Sequence, residues 1–118
     1  MLLYKPKQVY RRETFMVNKQ TTPQYLDDAF REECEKMVET FIQKHKDYGK
    51  DNILDNGELG ILFRTNDKLR RLQNLLTAGK DPENESLADN WQDIAVYAVI
   101  ALLLRSGKFK KLVINPKA

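Results

Sequence analysis

The sequence predicts an all-α protein, a helical bundle of three main helices that is completed by oligomerisation. Three separate segments repeat apolar residues at the spacing of an α-helix. Residues that begin or end helices stand at the borders of these segments: Pro23, Gly49, Gly79 and Gly107. Apolar faces on three helices can bury one another only by packing together, which favours a bundle.

The composition is typical of a soluble globular domain. Apolar residues make up 42% and charged residues 31% of the 118 residues, which allows one domain with a modest core. The longest apolar run, 94–104, is too short to span a bilayer, and the first residues do not form a signal peptide. The single cysteine, Cys34, excludes an internal disulfide; we expect a cytoplasmic protein with Cys34 in its core.

Charge divides the chain into three parts. The net charge is +3, but residues 25–104 hold ten Lys/Arg against sixteen Asp/Glu. We therefore expect a basic N-terminal arm (1–21), an all-α domain (22–106) and a basic C-terminal tail (107–118). A nucleic-acid-binding protein normally carries its basic residues on the folded body, so an accessory role on nucleic acid is a remote alternative.

The first long helix is predicted from Thr22 as N-cap and Pro23 at the first helical position to about Lys46, with Gly49 as its stop. Its apolar positions follow helical spacing: Leu26, Phe30, Cys34, Met37, Val38, Phe41 and Ile42. A second stripe lies nearly opposite and is expected in solvent: Asp28, Glu32, Glu35 and Glu39. Glu33 is expected nearer the buried edge.

A second helix is predicted after a loop at 50–58. It begins at Leu59 or Thr65 and ends near Gly79. Arg64, Lys68 and Arg71 stand at i, i+4 and i+7, so they share one face of this helix. Two interpretations of this basic face remain open: it binds phosphate, or it pairs with carboxylates across the helix interface.

The third helix is predicted from about Glu83 to Ser106, after a turn at 80–84. Glu85, Asp89 and Asp93 lie on one of its faces, spread over roughly 80° at about 100° per residue. The same strip continues as an apolar one: Val96, Ile100 and Leu103. The carboxylates are therefore expected to point into a cleft.

From Ile94 onward this helix is apolar all round, which predicts burial on every side. Trp91 falls on its main apolar face and is expected in the core. The tail from Phe109 to Pro116 is expected to form a short strand or an arm. Three helices cannot cover such a segment alone, so we expect a homodimer or homotetramer.

Clustered carboxylates repel one another, and Mg²⁺ (or Mn²⁺) is the usual counterion for such a group in a cleft. A solvated or Lys/Arg-paired acidic face is the alternative. Two residues near the end of the first helix are further candidates for a ligand site. Tyr48 can stack on a base or simply pack, and His45 is either a rim histidine of the core or a catalytic base.

Three elements in order resemble a known family. They are the segment 44–49 (KHKDYG), the segment 68–71 (KLRR), and Glu85, Asp89 and Asp93 followed by 94–98 (IAVYA). This order resembles the nucleotide modification associated domain type 1 family of bacteriophages, which is similar to the all-α NTP pyrophosphohydrolases (MazG-like proteins). The resemblance covers roughly residues 30–104.

The resemblance implies a helical scaffold with a Mg²⁺-holding acidic cleft that receives nucleotide phosphates. By position, the catalytic and metal-binding residues would be Asp47, Glu85, Asp89 and Asp93, with Lys68 and Arg71 facing phosphate. The chain also departs from the MazG-like pattern. Its Glu32-x-x-Glu35 pair is expected in solvent, and Asn90 stands where the second pair would have a Glu.

The expected function is nucleotide binding, with hydrolysis of (d)NTPs or modified nucleotides to monophosphate and pyrophosphate as the enzymatic form. Mg²⁺ would neutralise phosphate charge and position water in that reaction. The alternative is a non-catalytic phage protein that sequesters or senses a nucleotide in the host cytoplasm. The departures at Asn90 and at Glu32 and Glu35 favour binding over hydrolysis.

Overall fold

The structure is a computed structural model that describes residues 22–79 and 87–118. The helices within these ranges are α1 (Leu26–Tyr48), α2 (Asp51–Ala78), α3 (Leu87–Arg105) and the short α4 (Lys108–Lys111). Neither described range contains a β-strand. The all-α prediction with three main helices is therefore confirmed.

The chain divides into two compact units, Met1–Lys36 and Met37–Ala118. The first unit contains the beginning of α1, where Arg31 Nη1 lies 2.9 Å from Asp27 Oδ2 and 3.3 Å from Asp28 Oδ1. These pairs lie one helical turn apart, a spacing that stabilises a helix by a few tenths of a kcal/mol per pair.

The predicted burial pattern at the beginning of α1 is wrong. Leu26 and Phe30 are exposed instead of buried, and Cys34 is half-buried rather than a core residue. Among the acidic residues, Glu32 and Glu35 are half-buried, whereas Glu33 is exposed. Apolar residues follow the helical period in this part of the helix, but the described residues of the unit do not bury Leu26 or Phe30.

The second unit has a small core. Its buried apolar cluster contains Ile61 from α2, Val96 and Ile100 from α3, and Phe109 from α4. Partly buried residues pack around this cluster, including Met37 and Phe41 of α1. Three main helices therefore share one core, although its fully buried part is limited to a few side chains.

α2 begins earlier than predicted because 51–56 is helical and not a loop. A kink at Gly57, with φ 63° and ψ −158°, separates this first turn from the rest of the helix. A backbone with this φ and ψ is open essentially only to glycine. The glycine that suggested a loop in the sequence therefore marks a change of direction between two helical segments.

The predicted helix ends agree well with the structure. Each of α1, α2 and α3 is followed within two residues by a glycine with positive φ: Gly49, Gly79 and Gly107. A left-handed glycine lets the chain leave a helix while its N–H still bonds to the last turn. At its beginning, α1 starts at Leu26 and not at Pro23.

α3 buries one face and exposes the other. Val96 and Ile100 are buried, whereas Trp91 is 54% exposed and Leu102 is 66% exposed. The predictions of a core Trp91 and of burial on every side from Ile94 are therefore wrong for the single chain. The strip that carries Asp93 faces the core. The face of Trp91 and Leu102, which the sequence predicted to be buried, faces outward.

The C-terminal tail forms the helix α4 instead of a strand, followed by an irregular segment. Lys50 Nζ donates hydrogen bonds to the carbonyl oxygens of Lys110 (3.2 Å) and Leu112. Lys46 Nζ donates to the carbonyl oxygen of Ala118 at 2.9 Å. Cations near the end of α1 thus hold the backbone of the tail.

Several sequence-based expectations fall on residues outside the described ranges. They concern the basic arm 1–21, the turn at 80–84 and the predicted start of the third helix at Glu83. The expected position of the Glu85 carboxylate in the cleft also falls outside. These expectations stay predictions.

Phe109 gives a direct test of the core, since its side chain is only 4% exposed. We expect Phe109→Ala to lower the free energy of unfolding by about 3–5 kcal/mol, because it removes a large buried ring and leaves a cavity. Val113→Ala, at an 80% exposed side chain in the same tail, is the control and should change it by less than about 0.5 kcal/mol. Equal effects in urea unfolding would contradict this core assignment.

Candidate functional site

A cleft with a volume of about 510 Å³ lies among α1, α2 and α3 in the second unit. Each helix contributes four residues at positions i, i+3, i+4 and i+7, which is one face over two turns. They are Phe41, Lys44, His45 and Tyr48 of α1; Arg64, Asp67, Lys68 and Arg71 of α2; and Asp93, Val96, Tyr97 and Ile100 of α3. Gly49, Asn52 and Ile53 complete the lining where α1 meets α2.

The lining carries more positive than negative charge. Its cations are Lys44, Arg64, Lys68 and Arg71, and its carboxylates are Asp67 and Asp93. Among the described lining residues, four positive and two negative side chains leave a net charge of +2. Apolar walls around such charges reduce screening by water, so this cleft attracts anions.

Asp93 holds two of the cations in place. Lys44 Nζ of α1 donates a hydrogen bond to Asp93 Oδ1 at 3.0 Å, and Lys68 Nζ of α2 lies 2.9 Å from Asp93 Oδ2. The side chains of Asp93 and Lys68 are only 13% and 15% exposed, while Lys44 is 54% exposed. One carboxylate therefore connects all three helices at the cleft. Its salt bridge to Lys68 is largely buried, and its salt bridge to Lys44 lies closer to the surface.

The pKa of Asp93 is held below its ordinary value. Burial favours the neutral acid and opposes this shift, but hydrogen bonds and charge from Lys68 and Lys44 together outweigh burial. Asp93 is therefore a carboxylate at neutral pH. Its contribution to stability is present above its unfolded-state pKa and is lost as pH falls through the lower folded-state value.

His45 lies between two aromatic rings beside the cleft. Its ring centroid is 5.6 Å from that of Phe41 and 5.8 Å from that of Phe109, which it meets edge-on. Burial, together with the charge of Lys50, lowers the pKa of His45. The imidazole is therefore neutral at pH 7. The prediction of a rim histidine fits this packing, while its ring still reaches the cleft.

The structure brings together every residue that the sequence assigned to nucleotide binding. Arg64, Lys68, Arg71, Tyr48 and His45 all line the one cleft, although they come from two helices. The expectation that the basic residues pair with carboxylates also holds for Lys68. The basic face of α2 therefore lines the cleft, and its Lys68 is at the same time paired with a carboxylate.

The predicted acidic site residues are distributed differently. Asp93 lines the cleft, as the helical strip predicted. Asp89 is exposed and does not belong to the lining. Asp47 lines a neighbouring shallow hollow and accepts a hydrogen bond from Gln43 at 3.5 Å. The position of Glu85 lies outside the described residues.

Sequence reasoning missed several lining residues, notably Lys44, Asp67 and Tyr97. A signal for them was present, since each stands at i+3 or i+4 from a residue that was assigned to the site. Asn52 and Ile53 could not be found in this way, because they depend on the direction that the chain takes between α1 and α2.

No group of three or more His, Cys, Asp or Glu side chains within residues 22–79 and 87–118 could hold a metal ion. Asp93 instead has ammonium groups as neighbours, which supply the positive charge that a metal ion would bring. The expectation of a metal at Asp47, Glu85, Asp89 and Asp93 stays a prediction.

Comparisons with protein-family models, curated proteins and solved structures found no match to this chain. The similarity to the phage family and to the MazG-like proteins therefore stays an expectation from the three sequence elements.

Asp93→Asn distinguishes a lysine-pairing role from a metal-ligand role. Loss of the charged partner of Lys68 should lower the free energy of unfolding by about 1–3 kcal/mol. The cleft also gains one net positive charge, so nucleotide affinity measured by calorimetry in EDTA should be retained or increased. Asp55→Asn, at an exposed position of α2 outside the cleft, is the charge-matched control and should change neither quantity. When calorimetry is repeated in Mg²⁺, a collapse of affinity that does not occur in EDTA, with unchanged stability, would favour the metal-ligand role.

His45 gives a prediction on pH, because it is the only histidine in the chain. Its pKa in the folded state is lowered, so between that value and about 6.5 the unfolded chain binds more protons than the folded one. Stability should therefore decrease as pH falls below about 6.5, and His45→Gln should remove this part of the pH dependence. The single imidazole resonance in an NMR titration measures the folded-state pKa, and a value at or above 6.5 would contradict the assignment.

Proposed function

We propose that this protein binds the phosphate groups of a nucleotide in the cleft through the basic face of α2. The observation that carries the proposal is that Arg64, Lys68 and Arg71 line the same cleft as the rings of α1. A nucleotide needs both features, since its phosphates require cations and its base offers a flat apolar surface. The volume of about 510 Å³ falls within the range of small-ligand sites.

The chemistry of the cations supports phosphate as the ligand group. Arg64 and Arg71 stand two turns apart on α2, with Lys68 between them on the same face. Guanidinium groups bind phosphate oxygens in pairs, and an ammonium group adds a compact charge. Lys44 contributes a further cation from α1.

The ring side chains provide a surface for the base. Tyr48 is 80% exposed, which leaves its ring accessible at the cleft. Tyr97 of α3 is half-buried and lines the cleft on another side. A base placed against either ring would gain contact area at a low cost in side-chain entropy, because tyrosine has only two side-chain torsions to fix.

Binding without hydrolysis is favoured over Mg²⁺-dependent pyrophosphohydrolysis. Among the described residues, Asp93 is the less exposed carboxylate of the cleft and is bonded to two lysines, and Asp47 and Asp89 lie outside the lining. A protein that sequesters or senses a nucleotide needs only affinity, which cations and rings provide. Hydrolysis would in addition require a group that activates water.

Neighbouring arginines on α2 provide a matched test of the proposal. Both side chains are exposed, but Arg71 lines the cleft and Arg70 does not. Arg71→Ala should weaken nucleotide binding by about 1–3 kcal/mol, the value of a charge-assisted hydrogen bond, or about 5- to 150-fold in affinity. Arg70→Ala should leave affinity unchanged.

The measurement is calorimetry against a panel of nucleoside mono-, di- and triphosphates, in Mg²⁺ and in EDTA. Pyrophosphate release is recorded for the same samples, together with the mass of the bound ligand. Retained ligand in EDTA without pyrophosphate supports binding alone, whereas Mg²⁺-dependent release supports the pyrophosphohydrolase. Equal affinities for both arginine variants and the parent would place the nucleotide elsewhere or exclude it.

A further inference from the structure

α3 presents a long apolar face to the outside, opposite the face that lines the cleft. Its residues follow the 4-3-4 spacing of a coiled-coil contact, and Val99 lies beside them. We call this face the outer stripe: Trp91, Ala95, Ala98 and Leu102. Trp91, Val99 and Leu102 are 52–66% exposed, Ala98 is exposed as well, and Ala95 is half-buried.

The outer stripe has no charged side chain along its length. The charged residues of α3 are Asp89 and Asp93, on the face opposite the stripe, and Arg105 at the last position. Arg105 is held by Glu58, with Nε 3.0 Å from Oε2. Such a surface binds best to another charge-free apolar surface. A charged or polar group placed against it would lose its hydration and find no hydrogen-bond partner on the stripe.

The order of side-chain sizes along the stripe is the same from either end. It reads large, small, small, large, and the spacing 4-3-4 is also symmetric. When a second copy of α3 lies antiparallel, Trp91 meets the partner's Leu102, and Ala95 meets the partner's Ala98. This match results when a two-fold axis crosses the helix pair at the level between residues 96 and 97. A self-complementary dimer surface requires such a symmetric match.

A parallel arrangement fits less well. It would place two Trp91 rings in one layer and two Leu102 side chains in another, so the two ends would be unequally filled. The alanines at the centre allow close approach of the helix axes in the antiparallel arrangement, at about 8 Å. Antiparallel helix dipoles also attract one another weakly.

We propose that the outer stripe of α3 is the interface of a two-fold symmetric homodimer in which the two α3 helices pack antiparallel. This assignment is independent of the proposed function, since the stripe and the cleft lie on opposite faces of α3. Both clefts of the dimer remain accessible at the outer sides of the helix pair.

A membrane is the other possible cover for the stripe. By length and apolar composition, α3 meets the criterion for a membrane-spanning helix, as core helices of soluble proteins also do. A bilayer would have to accept Asp93 and its two lysines on the other face, at a cost of several kcal/mol. A second copy of the chain requires no such cost, so it is the favoured occupant.

Cysteine cross-linking tests the arrangement directly. Ala95→Cys and Ala98→Cys are each prepared in a Cys34→Ser background, and one carries a mass tag that separates mixed from homodimeric products. After the two are unfolded together, refolded and oxidised, the mixed disulfide should exceed each homodisulfide several-fold. Dominant homodisulfides would indicate a parallel pair and overturn the proposal, as would the absence of any disulfide.

Sedimentation of the unmodified chain and of two glutamate variants provides the second test. The parent should be a dimer at micromolar concentration, and Leu102→Glu should raise the dimer dissociation constant at least about a hundredfold, because two charges would be buried without partners. Leu62→Glu, at a 57% exposed leucine of α2, is the matched control and should leave the dimer intact. Circular dichroism confirms that each variant is folded.

Two results would overturn the proposal. The first is a monomeric parent at this concentration, and flotation of that monomer with phosphatidylcholine vesicles would assign the stripe to a membrane. The second is a dimer that Leu102→Glu leaves intact or that Leu62→Glu dissociates as readily as Leu102→Glu.

Discussion

Asp93 connects the three helices that form the cleft. Its two carboxylate oxygens meet Lys44 of α1 and Lys68 of α2, while its own backbone belongs to α3. Removing a carboxylate and an ammonium group from water is costly, and close pairing offsets that cost only when the geometry is right. The bridge therefore favours one rotation of each helix about its axis, and this rotation determines which residues line the cleft.

The consequences of that rotation extend along each helix. Once Lys68 faces Asp93, Arg64 and Arg71 lie one turn away on either side along the same strip of α2. Once Lys44 faces Asp93, Phe41, His45 and Tyr48 are placed on the same wall in α1. One ionic contact in the cleft thus arranges cations on one side and rings on another.

Much of the fold follows from local sequence, because helical periodicity and glycine ends depend on nearby residues. The basic and ring residues of the cleft were also predictable, since Arg64, Lys68 and Arg71 share a face. Other features depend on long-range packing. Phe109 is buried by α1 and α3 neighbours, and Gly57 adopts its backbone angles because two helical segments change direction there. Apolar content alone could not distinguish the inner from the outer face of α3.

The two faces of α3 show why that distinction failed. Both are apolar beyond Asp93, so a rule that buries the more hydrophobic side selects the face of Trp91 and Leu102, which is exposed. In this helix a carboxylate is a better guide than an apolar side chain to the face that packs inside the chain. Asp93 can be placed inside only where lysines from two other helices reach it, whereas Leu102 can be covered by any apolar surface. In such a helix the paired charge identifies the intramolecular face, and the charge-free face is left exposed.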